Sequence, residues 1–137
     1  MTSEILYDIA DRENIEIINY NKLNNEARIM EIDNSFCIFM NPKKINNSIQ
    51  EKEILAEELG HYFTDTLYYP AASRLEKSKC EYKAQKWAMC KLVPFDALKQ
   101  KIKQGYNLYD LAEYFDVEPN YMQKCIDLYL SKYGTII

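Results

Sequence analysis

Along the first third of the chain the spacing of apolar positions changes twice. Ile5, Leu6, Ile9 and Ala10 recur on one helical face and predict a helix over residues 3–13, with Thr2 or Ser3 as its N-cap. From Ile15 the period shortens to two: Ile15 and Ile17 alternate with polar residues and, with Tyr20 beyond them, predict a short strand. Asn24-Asn25 marks a turn. Ala27–Ile32 and Phe36–Met40 are two further apolar runs, separated by Asp33-Asn34-Ser35, and predict a hairpin that ends at Asn41-Pro42. Beyond Asn46-Asn47 the period is helical throughout. Ser48, with Glu51 three residues on, reads as a capping box opening a helix over 48–66. Ile49, Ile54, Leu55, Leu59, Tyr62 and Phe63 are expected on its buried face.

A loop at Tyr68-Tyr69-Pro70 follows, then a helix from Ser73 or Ser78 to Leu92, halted near Pro94. Helices over 95–104 and 107–115 come next, and a last one runs to Tyr133, where Gly134 is a natural C-cap. The expected fold is therefore α+β, mainly helical with a small antiparallel sheet of about three strands. A length of 137 residues suits a single domain over 1–137, with 105–137 as a helical C-terminal extension.

Charge and cysteine usage narrow the function classes. A net charge of −4 argues against a nucleic-acid binder that works by neutralising phosphates. No apolar run approaches the roughly 20 residues that span a bilayer. The N-terminus carries Glu4 and Asp8 where a signal peptide carries lysines. Cys37, Cys80, Cys90 and Cys125 contain no C-x-x-C pair and are expected as free thiols. The chain reads as cytoplasmic.

The chemistry concentrates at Glu57-Glu58-Leu59-Gly60-His61. Glu57 and His61 are four apart on an expected helix, so they share one face and can grip one divalent ion. Glu58 holds the position that the H-E-x-x-H motif gives to its general base. Glu81, 20 residues on, is placed on the following helix to supply a third ligand. The bland alternative makes Glu57 and Glu58 solvated acids beside Lys52, and His61 a hydrogen-bonded structural histidine. Trp87 and Leu92 read as core.

Two blocks of the sequence resemble the ImmA/IrrE-type metallopeptidases of phages, mobile elements and bacterial stress responses. Ile54-Leu55-Ala56-Glu57-Glu58-Leu59-Gly60-His61-Tyr62 is similar to their L-A-H-E-L-G-H. The stretch Glu81 to Pro94, with Ala84, Trp87, Ala88, Leu92 and Pro94 in register, is similar to their E-x-x-A-x-x-F/W-A-x-x-L-x-P. The likeness covers about residues 1–100. It implies a zincin-like fold, Glu58 as general base, and His61 and Glu81 as metal ligands. It also implies Zn²⁺ or another divalent ion such as Mn²⁺, and a helix-turn-helix repressor as the cleaved partner. Glu57 stands where the family usually has histidine, and makes the donor set harder in character. The rival reading is a non-catalytic repressor-binding protein on the same fold.

The segment Leu108–Gln123 resembles a helix-turn-helix core. Asn120, Gln123 and Lys124 are available to read bases, but Glu113, Asp116, Glu118 and Asp127 surround them, which argues against direct DNA binding. Tyr106, Tyr109, Tyr114, Tyr121, Tyr129 and Tyr133 suit a protein-docking surface instead.

Overall fold

The computed structural model describes residues 2–69 and 71–136; Pro70, the end of the expected Tyr68-Tyr69-Pro70 loop, lies outside the described residues, as do Met1 and Ile137. Helix α1 spans Ser3–Arg12 and buries Leu6, Ile9 and Ala10, while Ile5 turns outward. Strands β1 (Glu16–Asn19), β2 (Ala27–Ile32) and β3 (Ser35–Met40) follow. Asp33 and Asn34 both take positive φ (51° and 63°), the two-residue turn whose twist matches a hairpin. A single 3₁₀ turn over Pro42–Lys44 leads to the second helix.

The sheet has the expected three strands, in a different arrangement. Its order is β1-β3-β2, with β2 antiparallel to β3 and β1 parallel to it. It is therefore mixed, not wholly antiparallel. The two-residue turn forces β2 and β3 to pair, and the polar segment 20–26 is long enough to carry the chain past the place that β3 then fills. Alternating polarity identifies strands without naming their neighbours, so the spacing could not reveal this crossover. Ile29 pairs with Ile38, and both are buried.

Helix α2 runs over Ser48–Phe63, and its cap is Asn47, whose side chain accepts the Gln50 N–H at 2.8 Å. The expected Ser48–Glu51 capping box does not form. Glu51 instead accepts a hydrogen bond from the Tyr7 hydroxyl at 2.8 Å, which ties α2 to α1. Leu55, Ala56 and Leu59 are fully buried against β2 and α1. Phe63, expected inside, is 41% exposed and stacks on Trp87 at 5.0 Å. Lys52, a charged residue by type, is buried at 2% exposure. Helix α3 (Arg74–Leu92) begins after Ser73, whose hydroxyl accepts the Glu76 N–H.

By compactness the described residues fall into two units, 2–88 and 89–136. The second unit contains α4 (Phe95–Lys103), α5 (Leu108–Phe115) and α6 (Pro119–Tyr133). Asn107 and Asp110 form a reciprocal capping box at the start of α5. A three-residue turn at 116–118, with Asp116 left-handed, joins α5 to α6, giving the helix-turn-helix arrangement expected of the tail. Gly134, at φ 77°, closes α6 as expected. The Tyr129 hydroxyl donates to the Val93 carbonyl at 2.7 Å, an interior hydrogen bond within this unit. Among the described residues, no helix is long and apolar enough to cross a membrane.

Within the first unit, α2 and α3 touch through Gly60. A β-carbon placed there would lie 2.4 Å from the Ala84 carbonyl oxygen, a backbone atom that has no freedom to rotate away. Glycine in a helix costs roughly 1 kcal/mol against alanine, so removing it would ordinarily help. Here the overlap reverses the sign. Gly60→Ala is expected to destabilise the protein by about 1–3 kcal/mol, as overpacked interiors do. Chemical denaturation of the two proteins checks it, and equal or greater stability of the variant would show that the helices part without strain.

Candidate metal centre

Glu57 and His61 lie one turn apart, and Glu81 on α3 reaches the same point from the facing helix. One ligand atom from each of the three falls within 4.8 Å of the others. His61 Nε2 lies 3.3 Å from Glu81 Oε1. Glu58 and His61 are only 8% and 5% exposed. Glu58 and His61 are thus interior, with Glu57 and Glu81 half-buried beside them.

Backbone and loop groups hold each member in place. The Ile29 N–H, on the free edge of β2, donates to Glu58 Oε1 at 2.9 Å. Beyond α2 the chain folds back, with Asp65 at φ 54°, and brings Thr66 onto the histidine: His61 Nδ1 lies 3.1 Å from the Thr66 carbonyl oxygen. A carbonyl only accepts, so Nδ1 carries the hydrogen and Nε2 is the nitrogen turned to the cluster. Two residues further, the Tyr68 hydroxyl donates to Glu81 Oε1 at 2.7 Å. The Arg28 guanidinium lies 5.6 Å from the centre of the Tyr68 ring and donates to the Tyr68 carbonyl at 3.3 Å. A cleft of about 390 Å³ opens over these groups, walled by Ala27, Arg28 and Ile29 of β2 on one side and by Tyr68 and Glu81 on the other.

Sequence reasoning placed Glu57, Glu58, His61 and Glu81 together, and the structure brings all four to one cleft. Cys80, the neighbour of Glu81, is not part of the cluster among the described residues. Thr66, Tyr68, Arg28 and the Ile29 amide went unnoticed. None belongs to a motif, and contacts made from a loop or a strand edge carry no periodic signal.

The electrostatics of the cluster favour a cation. Burial, reinforced by the hydrogen bond to Glu81, pushes Glu57 up to about 8. The hydrogen bond from His61 draws Glu81 down to about 2 despite its partial burial. Burial also raises Glu58, against the pull of His61 and the Ile29 N–H. It opposes a charge on His61, but Glu81, Glu58 and Thr66 together raise that imidazole above its ordinary value. Two carboxyls sharing one site retain a proton that a divalent ion would replace. The oxygen-rich donors, the oriented Nε2 and this surplus of negative charge fit a divalent ion, held by Glu57, His61 and Glu81.

The family model for the IrrE N-terminal-like domain of the peptidase M78 family matches residues 10–125. The chain belongs to that family. No characterised protein and no solved structure gives a significant match. Membership in the M78 family makes this a metallopeptidase-like domain, and its two sequence blocks are the two helices that meet at the cluster.

The pH dependence of the ion-free protein follows from these groups. With Glu57 raised from 4.5 to about 8, the native state holds a proton that the unfolded chain has lost, so stability falls as pH rises across that window. The raised Glu58 and His61 act in the same direction. Glu81, lowered to about 2, contributes stability above 4.5 that is lost as pH falls toward 2. In the presence of a chelator, the unfolding temperature is expected to decline from pH 5 to pH 8, and Glu57→Gln should flatten the decline. An unchanged slope in the variant would mean that the proton resides elsewhere.

Proposed function

We propose that this chain is a metal-dependent endopeptidase that cleaves a helix-turn-helix transcriptional repressor of a phage or mobile element in the cytoplasm. The observation that carries the peptidase reading is the convergence of Glu57, His61 and Glu81 on one point, with Glu58 beside them at the wall of an open cleft. Zn²⁺ is the expected ion, and Mn²⁺ the alternative favoured by two carboxylates and one imidazole. The repressor as substrate follows from the resemblance of the two sequence blocks to phage and mobile-element peptidases.

The chemistry that an ion supplies when bound is Lewis acidity, which activates both water and the peptide carbonyl. The chain's own residues do the rest. Glu58, buried and steadied by the Ile29 N–H, takes the proton of the attacking water and delivers it to the leaving amine nitrogen. His61 is kept in one tautomer by Thr66. Beside the cleft the free edge of β2 offers an extended substrate its backbone groups other than the Ile29 N–H, which Glu58 occupies, for strand addition.

The rival reading keeps the fold and loses the chemistry, because Glu57 replaces the usual first histidine. Such a protein would bind the repressor without cutting it. Metal content and cleavage separate the two. Gently purified wild type is expected to carry close to one zinc or manganese per chain by plasma mass spectrometry, lost in His61→Ala. Glu58→Gln should retain the metal while repressor cleavage, followed by mass spectrometry of the products, drops by roughly 10²–10⁴-fold. A wild type that takes up neither ion when incubated with both would leave the binding scaffold as the function.

A further inference from the structure

The loop between α2 and α3 contacts the cluster twice. Thr66 fixes His61, and two residues later Tyr68 reaches the opposite side. Its phenol donates to Glu81 Oε1 at 2.7 Å, the same oxygen that lies 3.3 Å from His61 Nε2. Its ring meets the imidazole edge-on, with centroids 6.0 Å apart. Tyr68 is itself anchored, by Arg28 at its ring and at its carbonyl. A carboxylate at the end of a glutamate side chain has several rotamers. Here a phenol held from behind by a strand residue selects one of them.

We propose that Tyr68 is a positioning residue of the metal centre, which acts through Glu81 by holding its carboxylate in the ligating orientation. The proposal rests on the reading of Glu57, His61 and Glu81 as ligands. Tyr68 does this work as a hydrogen-bond donor, its hydroxyl directed at Glu81 Oε1. Groups in this position, hydrogen-bonded to a ligand, typically set metal affinity by 10–100-fold. Arg28 stands one step further out, in contact with the ring and the carbonyl of Tyr68.

The test is metal affinity, read without any substrate. Zinc and cobalt binding to the full chain are measured by competition with a chromophoric chelator, together with the visible spectrum of the cobalt form. Tyr68→Phe removes one oxygen and keeps the ring, so it is expected to bind both ions roughly 10–100-fold more weakly and with an altered cobalt spectrum. Tyr62→Phe is the matched control. Its hydroxyl also donates to a carboxylate, Glu13, but it does not line the cleft, and its affinity should match wild type. In a Glu81→Gln background, Tyr68→Phe should have a much smaller further effect, since the residue through which it acts is already changed.

Unaltered affinity and spectrum in Tyr68→Phe would overturn the positioning role while leaving the metal centre standing. An equal loss in the presence and absence of Glu81 would overturn the claim that Tyr68 acts through it. A wild type that binds neither ion would overturn the metallopeptidase reading and this inference with it.

Discussion

The Ala84 carbonyl occupies the space that a β-carbon on residue 60 would need, and this contact sets how closely α2 and α3 approach. Glu81 lies one turn before Ala84, and Glu57 and His61 lie on either side of Gly60. The separation at which the backbones touch is therefore the separation across which the three side chains meet. With wider spacing, a glutamate from one helix would not reach an imidazole on the other at 3.3 Å. The glycine in the motif has a steric reason: it is the floor on which the cluster is built.

What the helices bring together, electrostatics would drive apart. Three carboxyls and one imidazole crowd a largely buried space, and the ion-free protein relieves the repulsion by keeping a proton on Glu57 and placing charge on Glu81 beside His61. The surrounding polar contacts all tighten this arrangement. Thr66 contacts the histidine, Tyr68 the Glu81 carboxylate, and Ile29 the buried acid between them. These supports come from a loop and a strand edge, so the site is assembled by three kinds of local structure at once.

Much of this was legible in the sequence, and the boundary of legibility is physical. Glu57, Glu58 and His61 were readable because helical spacing converts sequence separation directly into position on a face, and Glu81 because the motif takes its third ligand from the following helix. The hairpin was readable because Asp33 and Asn34 tolerate the positive φ that its turn demands. The parallel pairing of β1 with β3 was not, because alternation marks a strand but carries no information about which edge it joins. Asn47 and Ser48 are both competent caps, and only the path of the chain decides between them. Lys52 looked like surface by residue type and is buried by its place on the face that also carries Leu55, Ala56 and Leu59. Tyr68 sits in an aperiodic loop, where no pattern distinguishes a tyrosine that touches a carboxylate from one that touches water.

The hydrogen bond from Ile29 gives Glu58 a structural duty that is separate from the proton transfer proposed for it. A backbone amide on a strand edge, turned into a protein interior, must find an acceptor or weaken the fold. An oxygen at position 58 therefore has value to the architecture whether or not any bond is ever cut. Along a lineage drifting away from catalysis, this position would pass more readily to glutamine than to a residue without an acceptor, since the amide oxygen still satisfies the strand. The identity of residue 58 across descendants would then record which of the two pressures had survived: an acid where the chemistry persisted, an amide where only the architecture did.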